Sequence, residues 1–551
     1  MKNFCLGFLV LFSIIIHAQP TVGVLTMTEE VSEGYTFFSP FSSTSAYMVD
    51  NCGNLINEWD RGTRPGLSAY FLDNGLMMRT YKINPVGPYT SASNAGGIEL
   101  VNWDNEVVWN FEINNSTQLS HHDAVMMPNG NILILVWELT FRDELIEIGR
   151  DPNEIAVEGF MWSEKIFELQ PLGTDNAEIV WEWHINDHLI QDFDSTQLNF
   201  GVVSDHPELF DINQPDLNSG NSNATRDYFH FNAIDFNPAL DQILISIRNS
   251  DEILIIDHST TTEEAAGHTG GRYGRGGDLL YRWGNPSAYK IAPLDDQMLF
   301  GQHGVNWVQE GFDDEGSILI FNNGNGKPGP DCTQIQLLTP PQSSPGFYER
   351  NADMPFGPDR AVTIFGDAPG ETFYSAFLSN AFRLDNGNTL INSGSPGRIF
   401  EITPEREIAW AYEIPLSGNT PIPQGVNANN NGNFRAYKYA LDFPGFDGID
   451  IVAGAPIEVN PLDCQLLTSI DDIDLEFFDI KYNSNFNTIS INSERNDIAQ
   501  LLLKDMQGRT MEQIDYTESE IRLHSLHPTG IYIATLVLEQ GQAVSYKIYI
   551  D

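Results

Sequence analysis

YFHFNAIDFNPALDQILISIR, residues 228–248, reads as a β-hairpin, with alternating residues on both arms and a turn over Asn237–Asp241. Two other segments follow the same plan, each with histidine at the start of the first arm: SHHDAVMMPNGNILIL (120–135) and FGQHGVNWVQEGFDDEGSILIFNNGNG (300–326). Copies without histidine are GLSAYFLDNGLMMRTY (66–81) and LSNAFRLDNGNTLINSG (378–394), and FRAYKYALDFPGFDG (434–448) is a degenerate one. Between these inner hairpins lie outer strand pairs that end in tryptophan: YMVDNCGNLINEWD (47–60), IELVNWDNEVVWNFE (98–112), IFELQPLGTDNAEIVWEWH (166–184), DLLYRWG (278–284) and IFEITPEREIAWAYE (399–413). A repeated unit buries its faces against its neighbours, so the copies must stack or close into a ring.

Short strands with one motif per unit predict an all-β chain whose residues 20–456 form a six-bladed β-propeller. Two or three separate β-sandwiches are the alternative, but sandwiches do not call for a tryptophan at the end of every unit. Helical periodicity is nearly absent, with short helices expected only within 138–150 and 185–195. After Pro456 the pattern changes, and residues 457–473 read as a linker. Strict alternation in ISINSE, EIRLHSL and GIYIATLVLEQGQAVSYKIYI then predicts a small C-terminal β-sandwich over 474–551. Its turns are expected at Met506-Gln507-Gly508 and Pro528-Thr529-Gly530.

The 551 residues exceed one ordinary core, in keeping with a large β domain and an appendage. With 28 Lys and Arg against 76 Asp and Glu, the net charge of −48 repels nucleic acid and anionic membranes, so neither is an expected partner. MKNFCLGFLVLFSIIIHAQ, residues 1–19, reads as a secretory signal peptide cleaved near Ala18 or Gln19. No later stretch approaches the ~20 apolar residues of a membrane span. Cys5 leaves with the signal, and Cys52, Cys332 and Cys464 remain for one disulfide and one spare thiol of undetermined pairing. No Cys/His spacing suggests zinc and no EF-hand loop is present, so no metal or cofactor is expected.

Register arithmetic then gathers a site. About the turn at 237–241, pairs summing to 478 face each other, which sets Arg248 opposite His230, with Asn232 on the same strand face. Aligning the turns brings Ser120, His121 and His122 to the matching height in the preceding unit and Ser379 beside Asn232 in a later one, while His303 enters from the unit between. Each residue has a plain structural reading, as strand histidine, loop hydrogen-bonder or salt-bridge partner. Three histidines at corresponding points among only 12 in the chain favour a shared site. His184, His188, His206, His258 and His268 fall in variable connections and read as structural. Arginine with imidazoles, Asn and Ser describes a pocket for an oxyanion rather than for a cation. An imidazole can also act as a nucleophile through a covalent intermediate.

The HHD…PNGN segment, the HxN…R hairpin, QHGVNW…GSILIFNNGNG and SNAFRLDNGNTLINSGSPGRIFEI resemble the bacterial PAPS-independent arylsulfate sulfotransferases over roughly residues 45–450. The resemblance implies a propeller that moves a sulfuryl group from a phenolic sulfate ester to a phenolic acceptor by a ping-pong route, without a nucleotide cofactor. It implies that His303 becomes transiently sulfated and that His230, Asn232 and Arg248 hold the sulfuryl oxygens. One of His121 and His122 would act as general acid/base or oxyanion donor, and Ser379, or less well Ser375, would line the last part of the pocket. Residues 20–46 leave no room for the N-terminal β-sandwich of well-studied members, and water is a possible acceptor. KDMQGR, LHSLHPTGIYIATL and the terminal KIYID are similar to the type IX secretion sorting domain of Bacteroidetes, although Tyr482-Asn483-Ser484-Asn485 replaces its usual Tyr-Pro-Asn-Pro opening. That similarity implies export by the type IX machinery to the cell surface or medium, with the periplasm in transit. The rival reading is a non-catalytic propeller that binds sulfated or anionic glycans or a protein partner.

Overall fold

The computed structural model describes residues 20–214, 225–464 and, from 479 to 550, all but 484–486, 493–497, 505–509, 517–519, 526, 528–529 and 539–542. The expected signal peptide, the turn at 506–508 and residues 528–529 of the second turn lie outside the described residues, as does part of the expected linker. The chain divides into two compact units, Gln19–Thr468 and a second one holding Ser469–Asp551.

The described residues are mostly β, with short helices such as Arg142–Glu147 and Thr262–Ala265. Among the described residues of the large unit, six antiparallel sheets follow one another along the chain, each built on four strands running from inside to outside. The first joins Asn433–Tyr439 to Tyr35–Pro40, Ser45–Val49 and Leu55–Asp60. The second comprises Pro65–Phe71, Met77–Lys82, Gly96–Val101 and Val107–Glu112, and the third Gln118–Met126, Ile132–Phe141, Phe160–Leu172 and Asn176–His184. The fourth runs through Phe231–Asn237, Gln242–Ile247, Glu252–Asp257 and Tyr281–Trp283, and the fifth through His303–Trp307, Ile318–Asn322, Gln334–Leu338 and Val362–Phe365. The sixth, Asn380–Arg383, Thr389–Ser393, Arg398–Ile402 and Ile408–Glu413, takes a fifth strand from Gly23–Met27 near the other end of the chain.

Middle strands such as QILISI (242–247) and EILIID (252–257) are buried along their whole length because neighbouring sheets cover both of their faces. Their continuous burial explains why they read as apolar runs rather than as half-buried alternation. Inner strands of successive sheets touch, and the sixth returns to the first.

The recurrent tryptophans seal this order. Trp59 of the first sheet donates its indole N–H to the carbonyl of Asn102 in the second at 2.9 Å, and Trp109 of the second donates to Asn176 in the third at 2.8 Å. Trp283 of the fourth sheet reaches the Pro358 carbonyl at 2.7 Å, and Trp410 of the sixth reaches Asn51 of the first at 2.8 Å. Each ring buries a large apolar surface and pairs its one polar atom, which is the condition for burying tryptophan cheaply. The fifth sheet has no such residue; Phe365 packs on Phe400 of the sixth instead, with ring centroids 5.7 Å apart.

Three expectations are corrected. The segment 434–448 is not a hairpin: Asn433–Tyr439 pairs with Tyr35–Pro40, so the two ends of the unit share one sheet. DLLYRWG supplies only the strand Tyr281–Trp283, paired with Glu252–Asp257. The helices expected within 138–150 and 185–195 shrink to Arg142–Glu147 and a single turn, Ile185–His188, because strand pairing claims the chain through Phe141.

Cys52 and Cys464 form the disulfide, and Cys332 is the free thiol. Residues 456–464 run along the large unit, with bridges from Pro456 to Asn54 and from Val459 to Pro423. In the C-terminal unit, the sheet Asp479–Asn483, Thr488–Asn492 and Glu520–Arg522 accompanies a four-stranded sheet of Thr510–Asp515, Ile498–Lys504, Gly530–Leu538 and Ala543–Ile550. Ile489, Ile491, Leu501, Leu503 and Leu536 are in its core.

His258 links the third and fourth sheets: Nδ1 lies 2.7 Å from Asp241 Oδ1 and Nε2 3.1 Å from Glu168 Oε2. Burial works against its charge, but the two carboxylates outweigh it and raise its pKa from 6.5 to about 9. A raised folded-state pKa means this stabilisation is complete below pH 6.5 and is lost as pH rises through about 9. The upper limit is about 3 kcal/mol. Urea unfolding should therefore show the wild type losing stability from pH 6.5 to 9, and His258→Gln should flatten that slope. Parallel curves for the two proteins would refute the clamp.

Candidate active site

The inner strands are not regular where the histidines lie. Along the third sheet's inner pair, Ala124 faces Ile134 but Ser120 faces Val136, so His121, His122 and Asp123 bulge opposite a single residue. Asn232 is the extra residue between Phe231 and Ala233, and Gly304 and Val305 bulge after His303. On the first sheet Phe434 and Arg435 bulge opposite Ser39. Positive φ angles fall at the same level: His122 at 46°, His230 at 59° and Ser379 at 92°. Bulges re-aim side chains and backbone strain gathers at functional sites. Here both turn polar groups away from the strand faces.

His303 starts the fifth sheet's inner strand and is 3% exposed. Its Nδ1 lies 3.0 Å from the Gly301 carbonyl and 2.9 Å from Asn323 Oδ1. Asn323 donates its own amide N–H groups to the carbonyls of Ser375 at 2.7 Å and Leu378 at 3.4 Å, which fixes its oxygen toward the imidazole. Both neighbours of Nδ1 are acceptors, so Nδ1 carries the proton and Nε2 holds a lone pair. Burial, then Arg248, hold the His303 pKa well below the ordinary histidine value. The ring is a neutral base.

His230 and His122 meet edge to face with centroids 4.6 Å apart. Asp227 Oδ2 lies 2.6 Å from His230 Nδ1 and fixes that ring. The two adjacent histidines have different surroundings. His121 stacks on Trp137 at 4.0 Å, its Nδ1 2.8 Å from His122 Nδ1 and its Nε2 2.9 Å from Glu164 Oε2, off the line of a good hydrogen bond. Both of its nitrogens face groups inside the wall, whereas His122 adjoins His230. Burial lowers the pKa of both histidines well below the usual value and raises that of Glu164 well above the carboxylate range.

Arg248 follows the strand Gln242–Ile247, and its backbone N–H donates to the His230 carbonyl at 3.1 Å, so the two are opposite each other. The Asn232 amide donates to the Gln302 carbonyl at 2.8 Å, while its Oδ1 is buried without a partner. The Ser379 hydroxyl is 2.9 Å from Ser375 Oγ and accepts from the Gly394 N–H at 2.9 Å, which ties both serines into the wall.

Sequence reading missed three members of this cluster. Asn323 sat in NNGNG, which read as turn chemistry. Asp227 lay outside the hairpin. Arg435 belonged to the degenerate copy, where its only signal was one arginine among the aromatic residues of FRAYKY. Arg435 is 5% exposed and donates to the Ser379 carbonyl at 2.8 Å, the Asn232 carbonyl at 3.4 Å and Asp123 Oδ2 at 3.1 Å. Asp123 also accepts from the Tyr70 hydroxyl. Asp123 and Arg435 border a cavity of about 1370 Å³ that is also lined by Phe236, Trp307 and Tyr437. Arg248 and Arg435 thus bring two guanidiniums to a cluster that also holds the carboxylates Asp123 and Asp227, in a chain of net charge −48.

Residues 101–414 match the family model described as arylsulfotransferase (ASST). No curated protein matches the chain. Among solved structures, a protein of unknown function from Bacteroides caccae is 12% identical, covering 69% of this chain and 93% of its own, with a TM-score of 0.37. Virginiamycin B lyase from Staphylococcus aureus is 9% identical over 74% of this chain and 88% of its own, with a TM-score of 0.31. The Pseudomonas aeruginosa periplasmic gluconolactonase is 7% identical over 89% and 98%, with a TM-score of 0.33. None of these likenesses is close enough to inform the chemistry.

Proposed function

Because the chain belongs to the arylsulfotransferase family, we propose that it transfers a sulfuryl group from an aryl sulfate to a phenolic acceptor through a sulfated His303. The observation that carries the reading is the locked tautomer of His303, whose protonated Nδ1 faces Gly301 and Asn323 and leaves Nε2 as the nucleophile. We read the six sheets as the blades of a propeller with this pocket at one end of its axis.

Nε2 attacks sulfur, the S–N bond forms, and the aryl S–O bond breaks with its electron pair on the phenolate oxygen. His230, paired with Asp227, supplies the proton that the phenolate takes up. The acceptor phenol then gives up its proton to the same group as its oxygen attacks sulfur and the S–N bond breaks. Charge on the sulfuryl oxygens is met by Arg248 and His230, a stabilisation often worth about 3 kcal/mol per donor. No nucleotide enters the reaction.

The test is turnover of 4-methylumbelliferyl sulfate with added phenol, joined to rapid quenching and peptide mass analysis. One sulfuryl group on the peptide carrying His303 is expected; a protein inert toward every aryl sulfate would refute the transferase reading. Asn323→Asp separates the locked tautomer from mere packing. The wild-type rate should stay flat down to pH 6.5, since burial and Arg248 keep His303 unprotonated there. A carboxylate at 323 favours the imidazolium, so the acid limb should move up by about one pH unit or more. An unmoved limb would show that Asn323 does not set the state of His303.

We also read residues 1–19 as a signal peptide and 474–551 as a sorting domain for type IX export. The Cys52–Cys464 disulfide supports a destination outside the reducing cytoplasm.

A further inference from the structure

Two histidines assigned above to variable connections come together away from the pocket. His188, in the single turn Ile185–His188, and His268, in the glycine-rich loop GHTGGRYGRGG, both direct Nδ1 at one carboxylate oxygen of Asp278. The distances to Asp278 Oδ1 are 2.8 Å from His188 and 2.9 Å from His268, and the three ligand-type atoms lie within 4.8 Å of one another. We propose that His188, His268 and Asp278 form a site for a divalent transition metal, best suited to zinc.

The second nitrogen of His188 carries the argument beyond proximity. Nε2 lies 2.8 Å from the Ala265 carbonyl, which can only accept, so Nε2 donates there, and a metal at Nδ1 would take the place of the proton shared with Asp278. A backbone carbonyl that orients the far nitrogen of a ligating imidazole is the usual support of a metal-binding histidine. The ring is fully buried and stacked on Trp183 at 5.2 Å with planes 6° apart, and Trp183 donates to the Gly277 carbonyl at 2.8 Å. Gly277 itself touches this ring: a Cβ there would come 2.6 Å from His188 Nε2. The loop is thus built around a fixed His188, with Asp278 buried beside it.

His268 is the exposed member, with its side chain 61% exposed, and solvent reaches the site from that side. Two imidazoles and a carboxylate with a water in the fourth position match tetrahedral zinc, whereas calcium and magnesium prefer all-oxygen shells. Bonds of about 2.0–2.1 Å would spread the ligand atoms to roughly 3.3 Å, an opening of about half an ångström at each of the two Asp278 contacts. Zinc here would clip residues 267–278 to the turn at 185–188, across 90 residues of chain.

The experiment uses the full chain, stripped with chelator and desalted, then titrated with Co²⁺ and afterwards Zn²⁺. One equivalent of Co²⁺ with tetrahedral visible absorption, displaced by one equivalent of Zn²⁺, is expected. His268→Ala and Asp278→Asn should each weaken Zn²⁺ binding at least tenfold. Because His268 is exposed, its variant should keep the wild-type circular dichroism and aryl sulfate turnover. Zinc held by the pocket histidines would be common to wild type and His268→Ala, so equal binding by the two overturns the proposal. Absence of stoichiometric binding by the wild type overturns it as well.

Discussion

His303→Ala should lower phenol release from an aryl sulfate by about a thousandfold or more, with the fold intact. The side chain sits at a strand start with its Nδ1 on Gly301 and Asn323, so its removal leaves a small polar space and disturbs no ion pair. If His303 is the covalent carrier, the sulfuryl adduct should vanish with the activity, and no acceptor concentration should restore the rate. If His303 merely lined a binding pocket, affinity for the donor would fall while the maximal rate survived, and the adduct would appear elsewhere or not at all. Quenched-flow mass analysis beside steady-state kinetics distinguishes these. An undiminished maximal rate would end the sulfohistidine mechanism, and the non-catalytic reading gains only if the wild type is also inert.

Arg435→Met should cost about 3–5 kcal/mol of stability in urea unfolding, the range for breaking a buried ion pair from one side. Burial works against the guanidinium charge, yet Asp123, Tyr437 and Tyr70 hold its pKa above the usual value. The substitution strands the Asp123 carboxylate and removes the donor shared by the Ser379 and Asn232 carbonyls. Asp123 belongs to the third sheet and those carbonyls to the sixth and fourth, so three sheets lose their tie to the first and the pocket wall loosens with them. Combining Arg435→Met with Asp123→Asn should recover part of the loss, because the unpaired charge is gone. A single variant within about 1 kcal/mol of wild type would show that solvent from the adjoining cavity already screens the pair.

The repeat made much of this architecture legible. Tryptophans at the ends of the outer strand pairs became the hydrogen-bonded seams between neighbouring sheets, and the Asn-Gly turns became the hairpin tips. His230 and Arg248 were placed opposite each other by counting from a turn, and the Arg248 N–H does meet the His230 carbonyl. Pairs near the turn follow Asn237–Gln242, one residue off the assumed register, and the bulge at Asn232 restores the count before His230. A bulge is a local backbone choice made against neighbouring strands, and strand alternation does not announce it.

The sequence by itself determined the all-β class, the repeated hairpin and the histidines at its corresponding points, because side-chain alternation and turn chemistry are local properties of the chain. Only the tertiary structure decided which groups share the pocket. Arg435 enters from the far end of the chain, Asn323 aims its amide through carbonyls more than 50 residues away, and His188 and His268 find one carboxylate. Each of these depends on contacts between sheets, where separation along the chain carries no information about distance in space.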